Sequence, residues 1–353
     1  MQTKGFSSRI DYLFVVGSCL LIVLSVVVLR SIAPELFPLY FLYLFLAVLI
    51  FVIFSAIDFE ILSLFSKHLY GLSIVLLILP LLIGQVTRGA VRWIPIGALT
   101  IQPAEIVRPL LLIFFANYLT EKEFTGRRLI ASLFLLAPPV VLILIQPSLG
   151  VASLTVVGFL GTLLATKMKK KYFIPAFGIF LVLIPLLWYV MADYQKARIL
   201  TFLDPGKDPH GAGYNSIQAM ITVGAGKFLG RGLGKGVQTQ LSFLPERHTD
   251  FIFASIAEEM GFLGTFLLLA GLFFIFWRLS GIITEAKSPA ARAFVSGIFL
   301  SLFVQTFVHI GMNMGLLPIT GVPLPLVSAG GSALLGTSLA FALALGCRKE
   351  KFS

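Results

Sequence analysis

The stretch IDYLFVVGSCLLIVLSVVVL, residues 10–29, is an apolar run long enough to cross a membrane as one helix, since a bilayer core requires about 20 residues of α-helix. Lys4 and Arg9 precede it and no small-residue cleavage site follows, so we expect an anchor and not a cleaved signal peptide. Similar runs recur through the 353 residues. They predict an all-α, polytopic integral membrane protein with about ten transmembrane helices. The predicted spans lie near residues 10–29, 38–57, 68–86, 104–120, 129–146, 149–166, 172–191, 251–277, 293–313 and 325–346.

The composition excludes a soluble globular protein. Hydrophobic residues make up 58% of the chain and charged residues 12%, and the mean hydropathy is +0.98. Soluble domains carry about 25% charged residues, so half of the expected charge is missing. Cys19 and Cys347 lie in apolar runs near opposite ends of the chain, and we interpret both as core residues and not as a disulfide.

The net charge of +11 would indicate a nucleic-acid partner in a soluble chain. Placing both termini in the cytoplasm puts sixteen Lys and Arg residues on the inner side and three in short outer loops. Cytoplasmic loops of membrane proteins carry such an excess of cations. The charge is therefore a topology signal, and no nucleic-acid partner is expected. The predicted topology leaves one long extracytoplasmic loop, residues 192–250.

Six glycines lie between Gly224 and Gly236 in this outer loop. A phosphate-binding loop would need a leading glycine and a Ser or Thr after Gly-Lys, and a dinucleotide fingerprint would need a preceding strand, so both nucleotide-binding interpretations fail. Two alternatives remain. The segment is a set of tight turns or a hinge, or its backbone approaches a phosphate-bearing ligand closely.

The outer loop re-enters the membrane through FLPERHTDFIFASIAEEMGFLG, residues 243–264. Asp250 stands between a polar loop and a helix predicted to begin at Phe251, where a half-desolvated carboxylate is a candidate general base. A helix N-cap is the other interpretation, because Asp is a preferred capping residue. Glu258 and Glu259 follow inside the span, and an ionisable residue at that depth indicates a functional site. For Glu259 we favour a packing role.

Polar side chains also gather at the entry to the fourth span. Glu105 and Arg108 are three residues apart and share a helix face, so they could pair with each other or face a cavity. Trp93 precedes them, and a Trp at a membrane interface is common for anchoring alone. The cluster consists of Arg88, Arg92, Trp93, Gln102, Glu105 and Arg108.

The stretch PITGVPLPLVSAGGSALLGTS, residues 318–338, leads into the last span. Its three prolines and paired glycines predict a broken or re-entrant helix that lines a cavity and contains Ser328. Close packing of small residues is the alternative. His309 and Asn313 share a face of the ninth span as candidate hydrogen-bond partners. No His or Cys spacing indicates zinc.

With these residues, the chain resembles the SEDS family (shape, elongation, division and sporulation) of bacterial polytopic membrane proteins. The resemblance covers nearly the whole chain and implies a single domain, residues 1–353. The ERHTD sequence favours the elongation branch of the family, because EAHTD is usual in the division branch. The motifs are RGAVRWIPIG, IQPAE, ARILTFLDPGKDPHGAGYNSIQ, FLPERHTDFIF, AEEMGFLG and LPITGVPLPLVSAGGS.

The resemblance implies a peptidoglycan glycosyltransferase that polymerises lipid II on the outer face of the bacterial cytoplasmic membrane during elongation. It also implies a class B penicillin-binding protein and other elongation proteins as partners. Asp250 matches the HTDF aspartate that the family requires for polymerisation, and Glu105 and Arg108 match its acidic residue and cation. Arg108 replaces the usual lysine. Ser148 stands where the family often has aspartate, so we expect no chemistry at position 148.

Such a reaction needs one base and positive charge at the leaving undecaprenyl pyrophosphate. The candidate base is Asp250, and a divalent cation, Mg²⁺ or Mn²⁺, is one candidate source of positive charge beside the arginines. A lipid-linked sugar flippase and a scaffold for a penicillin-binding protein are the alternative functions. The candidate substrate-binding residues are Arg88, Arg92, Trp93, Gln102, Glu105, Arg108, Arg198, Glu246, Arg247, His248, Thr249, Glu258 and Ser328.

Overall fold

The computed structural model describes residues 11–87, 90–166, 193–204 and 213–348. The predicted span at 172–191 lies outside these ranges. Helices dominate the described chain. They are α1 (Tyr12–Ile32), α2 (Phe37–Ser55), α3 (Phe59–Leu64), α4 (Ser66–Ile83), α5 (Pro103–Thr120), α6 (Gly126–Ile145), α7 (Leu149–Leu164), α8 (Asp193–Leu203), α9 (Tyr214–Ala225), α10 (Val237–Gln240), α11 (Ile252–Thr284), α12 (Pro289–Asn313) and α13 (Gly331–Gly346).

Six helices of the described chain are long and apolar enough to cross a membrane: α1, α2, α4, α6, α11 and α12. The helices α7 and α13 are apolar but have 16 residues each. At 1.5 Å per residue they measure about 24 Å, less than the bilayer core of about 30 Å. For α13 the reason is visible, because the segment before Gly331 is not helical. The prediction of a polytopic helical membrane protein is confirmed.

One element was not predicted by the all-α interpretation. Three short strands within 85–87, 90–96 and 99–101 form an antiparallel sheet in the order β1-β2-β3. A two-residue connection with Gly97 at φ +62° joins the second and third strands, which pair Ile96 with Leu99. Glycine at the first position of such a turn is a known hairpin signal. The strands are β1 (Gln85–Thr87), β2 (Ala90–Ile96) and β3 (Leu99–Ile101).

The centre of the protein is formed by α13, which is buried along its whole length and packs against α2 and α5. Small residues permit this close approach, as in many membrane helix pairs. A Cβ atom on Gly331 would lie 2.4 Å from the Tyr43 ring, and one on Gly336 would lie 2.5 Å from the Glu105 carbonyl oxygen. The polar residues of α5 are thereby held beside the start of α13.

The helix α11 is broken at Gly261, which has φ +65° and ψ −158°. The glycine-rich segment of the outer loop packs against this break. Its turns place Gly230, Gly232 and Gly234 at positive φ, and the N–H of Gly232 donates to the Glu259 carbonyl oxygen at 2.9 Å. The turn interpretation of this segment is therefore confirmed.

The segment 318–330 is not helical, as predicted. It contains Gly321 at φ +68° and Leu326 at φ +62°. Backbone groups of a broken segment at membrane depth need partners from the protein. Ser25 supplies one of them, because its hydroxyl donates to the Val327 carbonyl oxygen at 2.6 Å. This broken segment separates α12 from α13 and borders the site described next.

Candidate active site

The ERHTD loop, residues 246–250, lies directly before α11. Three successive carbonyl oxygens of this loop accept hydrogen bonds from distant parts of the chain. A loop fixed at three consecutive peptides presents its last side chain, that of Asp250, in a defined position. The three bonds run from Ala329 N–H to His248 O (2.9 Å), from the Ser328 hydroxyl to Thr249 O (2.7 Å) and from the Asn313 side-chain amide to Asp250 O (3.0 Å).

The side chain of Arg247 ties the loop to the end of α1. Its Nε donates to the Ile32 carbonyl oxygen at 3.0 Å and its Nη1 donates to the Ser242 hydroxyl at 3.1 Å. The Arg247 carbonyl oxygen accepts from the Ser255 hydroxyl at 2.9 Å. These contacts show that Arg247 supports the loop. The prediction that it also binds substrate stays a prediction.

Glu246 interacts with two polar side chains of the loop, those of Thr249 and His248. The Thr249 hydroxyl donates to its Oε2 at 2.9 Å, and His248 Nε2 lies 3.9 Å from the same oxygen. Glu246 has φ +51°, a conformation that costs energy for a residue with a side chain. The fold holds this strained residue four positions before the candidate base.

The Asp250 carboxylate and the Arg198 guanidinium flank Gly321. A Cβ atom placed on Gly321 would lie 3.4 Å from Asp250 Oδ2 and 3.8 Å from Arg198 Nη1. Asp250 is half-buried, whereas Arg198 on α8 is exposed and donates to the Ile319 carbonyl oxygen at 3.3 Å. A carboxylate oxygen and a guanidinium nitrogen therefore lie close to one glycine, whose φ of +68° is a conformation that favours glycine.

The N-cap interpretation of Asp250 is wrong. The helix α11 begins at Ile252, and its N-cap residue is Phe251. The first turn of a helix leaves backbone N–H groups without helical partners. Here the N–H of Ala254 donates to Asn313 Oδ1 at 3.1 Å, so one of these groups is satisfied from α12.

Glu105 and Arg108 form the predicted ion pair on α5. Arg108 Nη2 lies 3.2 Å from Glu105 Oε2, and each side chain is 4% exposed. Arg108 Nη2 also donates to Gln305 Oε1 at 3.1 Å, and Gln305 Nε2 donates to the Pro323 carbonyl oxygen at 2.8 Å. The ion pair is thus connected through Gln305 to the broken segment before α13.

Gln102, the N-cap residue of α5, is buried beside the same segment. Its backbone N–H donates to the Ser332 hydroxyl at 2.8 Å, and its Nε2 donates to the Ser148 hydroxyl at 3.1 Å. Ser148 therefore accepts a packing hydrogen bond at the position where the family often has aspartate. Substrate binding by Gln102 stays a prediction.

The remaining candidates lie apart from the ERHTD loop in sequence. Arg92 and Trp93 are on β2, with the Arg92 guanidinium carbon 5.8 Å from the centroid of the Trp93 ring. Glu258 accepts the backbone N–H groups of Gln238 and Thr239, both at 2.9 Å, and so holds α10. Arg88 lies outside the described residues.

Two residues of the site, Gln305 and Gly321, were not assigned a role from the sequence. Gln305 lies on the same face of α12 as Asn313, eight residues away, and each bonds to an element of the site. Gly321 lies beside both the Asp250 and the Arg198 side chains. The available signal was the repeat of polar residues every fourth position inside an apolar span, which included the predicted partners His309 and Asn313. Asn313 Nδ2 does donate to the His309 carbonyl oxygen, at 2.8 Å.

A protein-bound metal has no matching ligand set among the described residues. No group of three or more His, Cys, Asp or Glu side chains there could hold a metal ion. Divalent cations such as Mg²⁺ prefer several oxygen ligands, including carboxylates. Mg²⁺ is usually held by one or two carboxylates together with substrate phosphates, so a divalent cation that binds with the substrate stays a prediction, and no step below involves one.

The fold and this site define a multi-pass helical membrane protein with a half-buried carboxylate at the entry of a membrane helix. A family model described as "Cell cycle protein", for FtsW, RodA and SpoVE, matches residues 7–351. The chain belongs to this family. It is 38% identical over 293 residues to peptidoglycan glycosyltransferase MrdB of Escherichia coli K12, covering 81% of this chain and 78% of that protein.

Proteins named FtsW are similar as well. The probable peptidoglycan glycosyltransferase FtsW of Idiomarina loihiensis is 39% identical over 298 residues, covering 81% of this chain and 71% of that protein. Peptidoglycan glycosyltransferase is thus the enzyme class named for both relatives.

Solved structures have the same fold. A chain from "Structural coordination of polymerization and crosslinking by a peptidoglycan synthase complex" superposes with a TM-score of 0.83 at 30% identity, covering 95% of this chain and 96% of that one. The rod shape determining protein RodA of Thermus thermophilus gives a TM-score of 0.72 at 26% identity, covering 97% and 98%. The expected SEDS fold is confirmed.

Proposed function

We propose that this glycosyltransferase polymerises lipid II into glycan strands on the outer face of the bacterial cytoplasmic membrane during elongation. Both termini then lie in the cytoplasm and the ERHTD loop faces outward, in agreement with the distribution of Lys and Arg. The observation that carries the proposal is the half-buried Asp250 side chain, whose peptide carbonyl is held by Asn313 and whose carboxylate lies, like the Arg198 guanidinium, beside Gly321.

In the proposed reaction, the 4-hydroxyl of the acceptor GlcNAc attacks the anomeric carbon of a lipid-linked MurNAc. A new glycosidic bond forms, the bond to undecaprenyl pyrophosphate breaks and the anomeric centre inverts. The Asp250 carboxylate takes the proton from the attacking hydroxyl. General-base catalysis of this kind contributes about 10²- to 10⁴-fold in rate.

The leaving pyrophosphate gains negative charge during this step. A guanidinium can bind such a group through several donors in a fixed plane. Arg198 can bind the leaving pyrophosphate because its side chain is exposed and its Nη1 lies close to the same glycine as the Asp250 carboxylate. We assign Arg198 to the pyrophosphate and Asp250 to the hydroxyl.

A class B penicillin-binding protein is the proposed partner, since glycan strands need cross-linking after polymerisation. The support is the similarity to a chain of a peptidoglycan synthase complex in which polymerization and crosslinking are coordinated. Lipid II is proposed as substrate because the curated relatives are peptidoglycan glycosyltransferases.

The test is reconstitution of the purified protein in lipid vesicles with fluorescent lipid II, with and without the partner. Asp250→Asn replaces the base with an amide of the same size and is expected to reduce glycan synthesis by about 10²- to 10⁴-fold. Glu35→Gln makes the same chemical change at an exposed position after α1 and serves as the matched control. Melting temperatures confirm that each variant is folded.

Glycan chains made by Asp250→Asn at the rate of the Glu35→Gln control would contradict the assignment of the base. Movement of lipid II across the vesicle membrane by the unaltered protein, without any chain formation, would instead support a flippase.

A further inference from the structure

The helix α12 carries a row of polar side chains that the reaction scheme does not use. Gln305, His309 and Asn313 follow each other at intervals of four residues and are fully buried. Residues four apart lie on the same helix face. Polar groups in a membrane-spanning helix are costly, so each of these side chains needs a partner inside the protein.

Asn313 joins two elements of the site through one side-chain amide. Its Oδ1 accepts the backbone N–H of Ala254 in the first turn of α11, at 3.1 Å. Its Nδ2 donates to the Asp250 carbonyl oxygen at 3.0 Å and to the His309 carbonyl oxygen at 2.8 Å. An amide has both an acceptor and two donors, which this arrangement requires and which no hydroxyl or ionised carboxylate supplies.

The other two residues of the row hold the part of the broken segment that follows Gly321. His309 Nδ1–H donates to the Val322 carbonyl oxygen and Gln305 Nε2 donates to the Pro323 carbonyl oxygen, both at 2.8 Å. These carbonyls directly follow Gly321, the residue next to the Asp250 carboxylate. One face of α12 therefore fixes both the backbone of Asp250 and the segment that its carboxylate faces.

We propose that Asn313 is a positioning residue for the general base, setting the orientation of the Asp250 carboxylate by holding its peptide carbonyl. The inference rests on the proposed function of Asp250. Proton transfer requires the base within about 2.6–3.2 Å of the attacking hydroxyl. A misplacement of about 1 Å can cost roughly 100-fold in rate, although substrate binding is unchanged.

The experiment compares Asn313→Ala, Asn313→Asp and Ser301→Ala in the reconstituted polymerase, with kcat, KM for lipid II and melting temperature measured for each. Ser301→Ala is the matched control, because it removes a buried hydrogen bond from α12 whose acceptor, the Leu154 carbonyl oxygen, lies on α7 and not on the ERHTD loop or the broken segment. Asn313→Asp keeps an oxygen that can accept from Ala254 N–H but loses the donor to Asp250.

Both substitutions of Asn313 are expected to reduce kcat by about 10- to 100-fold while KM stays within about twofold. Ser301→Ala is expected to keep its kcat despite a comparable loss of melting temperature. A purely structural role of Asn313 would lower the melting temperature without this split between kcat and KM. If Asn313→Ala does not fold, the values of kcat and KM for Asn313→Asp decide whether Asn313 positions the base.

The inference is overturned if a folded Asn313 variant retains the kcat of Ser301→Ala, or if KM rises while kcat is unchanged. Asp250→Asn, measured in parallel, separates this failure from failure of the proposed function. Loss of activity in Asp250→Asn together with full activity in the Asn313 variants refutes the positioning role alone. Full activity in Asp250→Asn refutes the base itself, and with it the inference.

Discussion

The substitution Glu105→Gln removes one charge from a buried ion pair and leaves the other charge in place. Arg108 then keeps Gln305 Oε1 as its hydrogen-bond partner at 3.1 Å but loses the carboxylate at 3.2 Å. Both side chains of the pair are 4% exposed, so water cannot replace the lost charge without opening the helix packing. We therefore expect a large loss of stability from a change of almost no volume.

Removal of one partner from a buried pair costs about 3–5 kcal/mol, because the remaining charge is uncompensated. This corresponds to roughly a 10²- to 4 × 10³-fold increase in the unfolding constant. The double substitution Glu105→Gln/Arg108→Met leaves no buried charge and is expected to recover most of this free energy, since replacing both ions with uncharged groups is often neutral.

The assay is equilibrium unfolding in detergent micelles for the two variants and the unaltered protein. Asp58→Asn provides the matched control, because the Asp58–Lys287 pair is close, at 2.7 Å, but its side chains are 26% and 20% exposed. An ion pair of that kind contributes about 0–1 kcal/mol. The reasoning is refuted if Glu105→Gln unfolds as the Asp58→Asn control does, or if the double variant is no more stable than the single one.

Polymerisation by a stable double variant would show that the pair acts in packing, whereas a stable but inactive one would assign it a part in the chemistry.

Gly261→Ala is expected to cost at least about 1–3 kcal/mol, because the conformation at the break in α11 is open only to glycine and a Cβ atom would lie 2.2 Å from the Gly230 nitrogen. Gly281→Ala on the same helix has open space around the added Cβ and should stabilise the helix by up to about 1 kcal/mol, so equal melting temperatures of the two variants would contradict the expectation. Glu258→Gln weakens the charge-assisted bonds to the N–H groups of α10 by about 1–2 kcal/mol, and limited trypsin digestion should cut residues 226–240 faster. Cleavage at an unchanged rate would show that other contacts hold this loop.

The helices could be predicted because an apolar run of spanning length has few other stable conformations in a membrane. The small sheet was missed because its strands are short and were considered only as a polar outer loop. A local signal was present, since Gly97 and Ala98 form a two-residue connection between Ile96 and Leu99. The break at Gly261 left no comparable signal, because glycine is common in membrane helices.

The site could be predicted where its partners are close in sequence. The pairing of Glu105 with Arg108 follows from their spacing of three residues, and the structure contains that pair. The capping hypothesis for Asp250 failed because the acceptor for the Ala254 N–H comes from Asn313, 59 residues away. A partner at that distance depends on how helices pack, which no local pattern encodes.

The broken segment before α13 explains why polar residues recur on one face of α12. An interrupted helix leaves carbonyl oxygens without intrahelical partners, and inside a membrane the protein must supply donors for them. Gln305 and His309 supply donors to two adjacent carbonyls, and Gln305 at the same time accepts from Arg108. The side chains that donate to these carbonyl oxygens therefore also connect the buried ion pair with the broken segment beside Asp250. A substitution in this row should affect both clusters together, which distinguishes a shared scaffold from two independent sites.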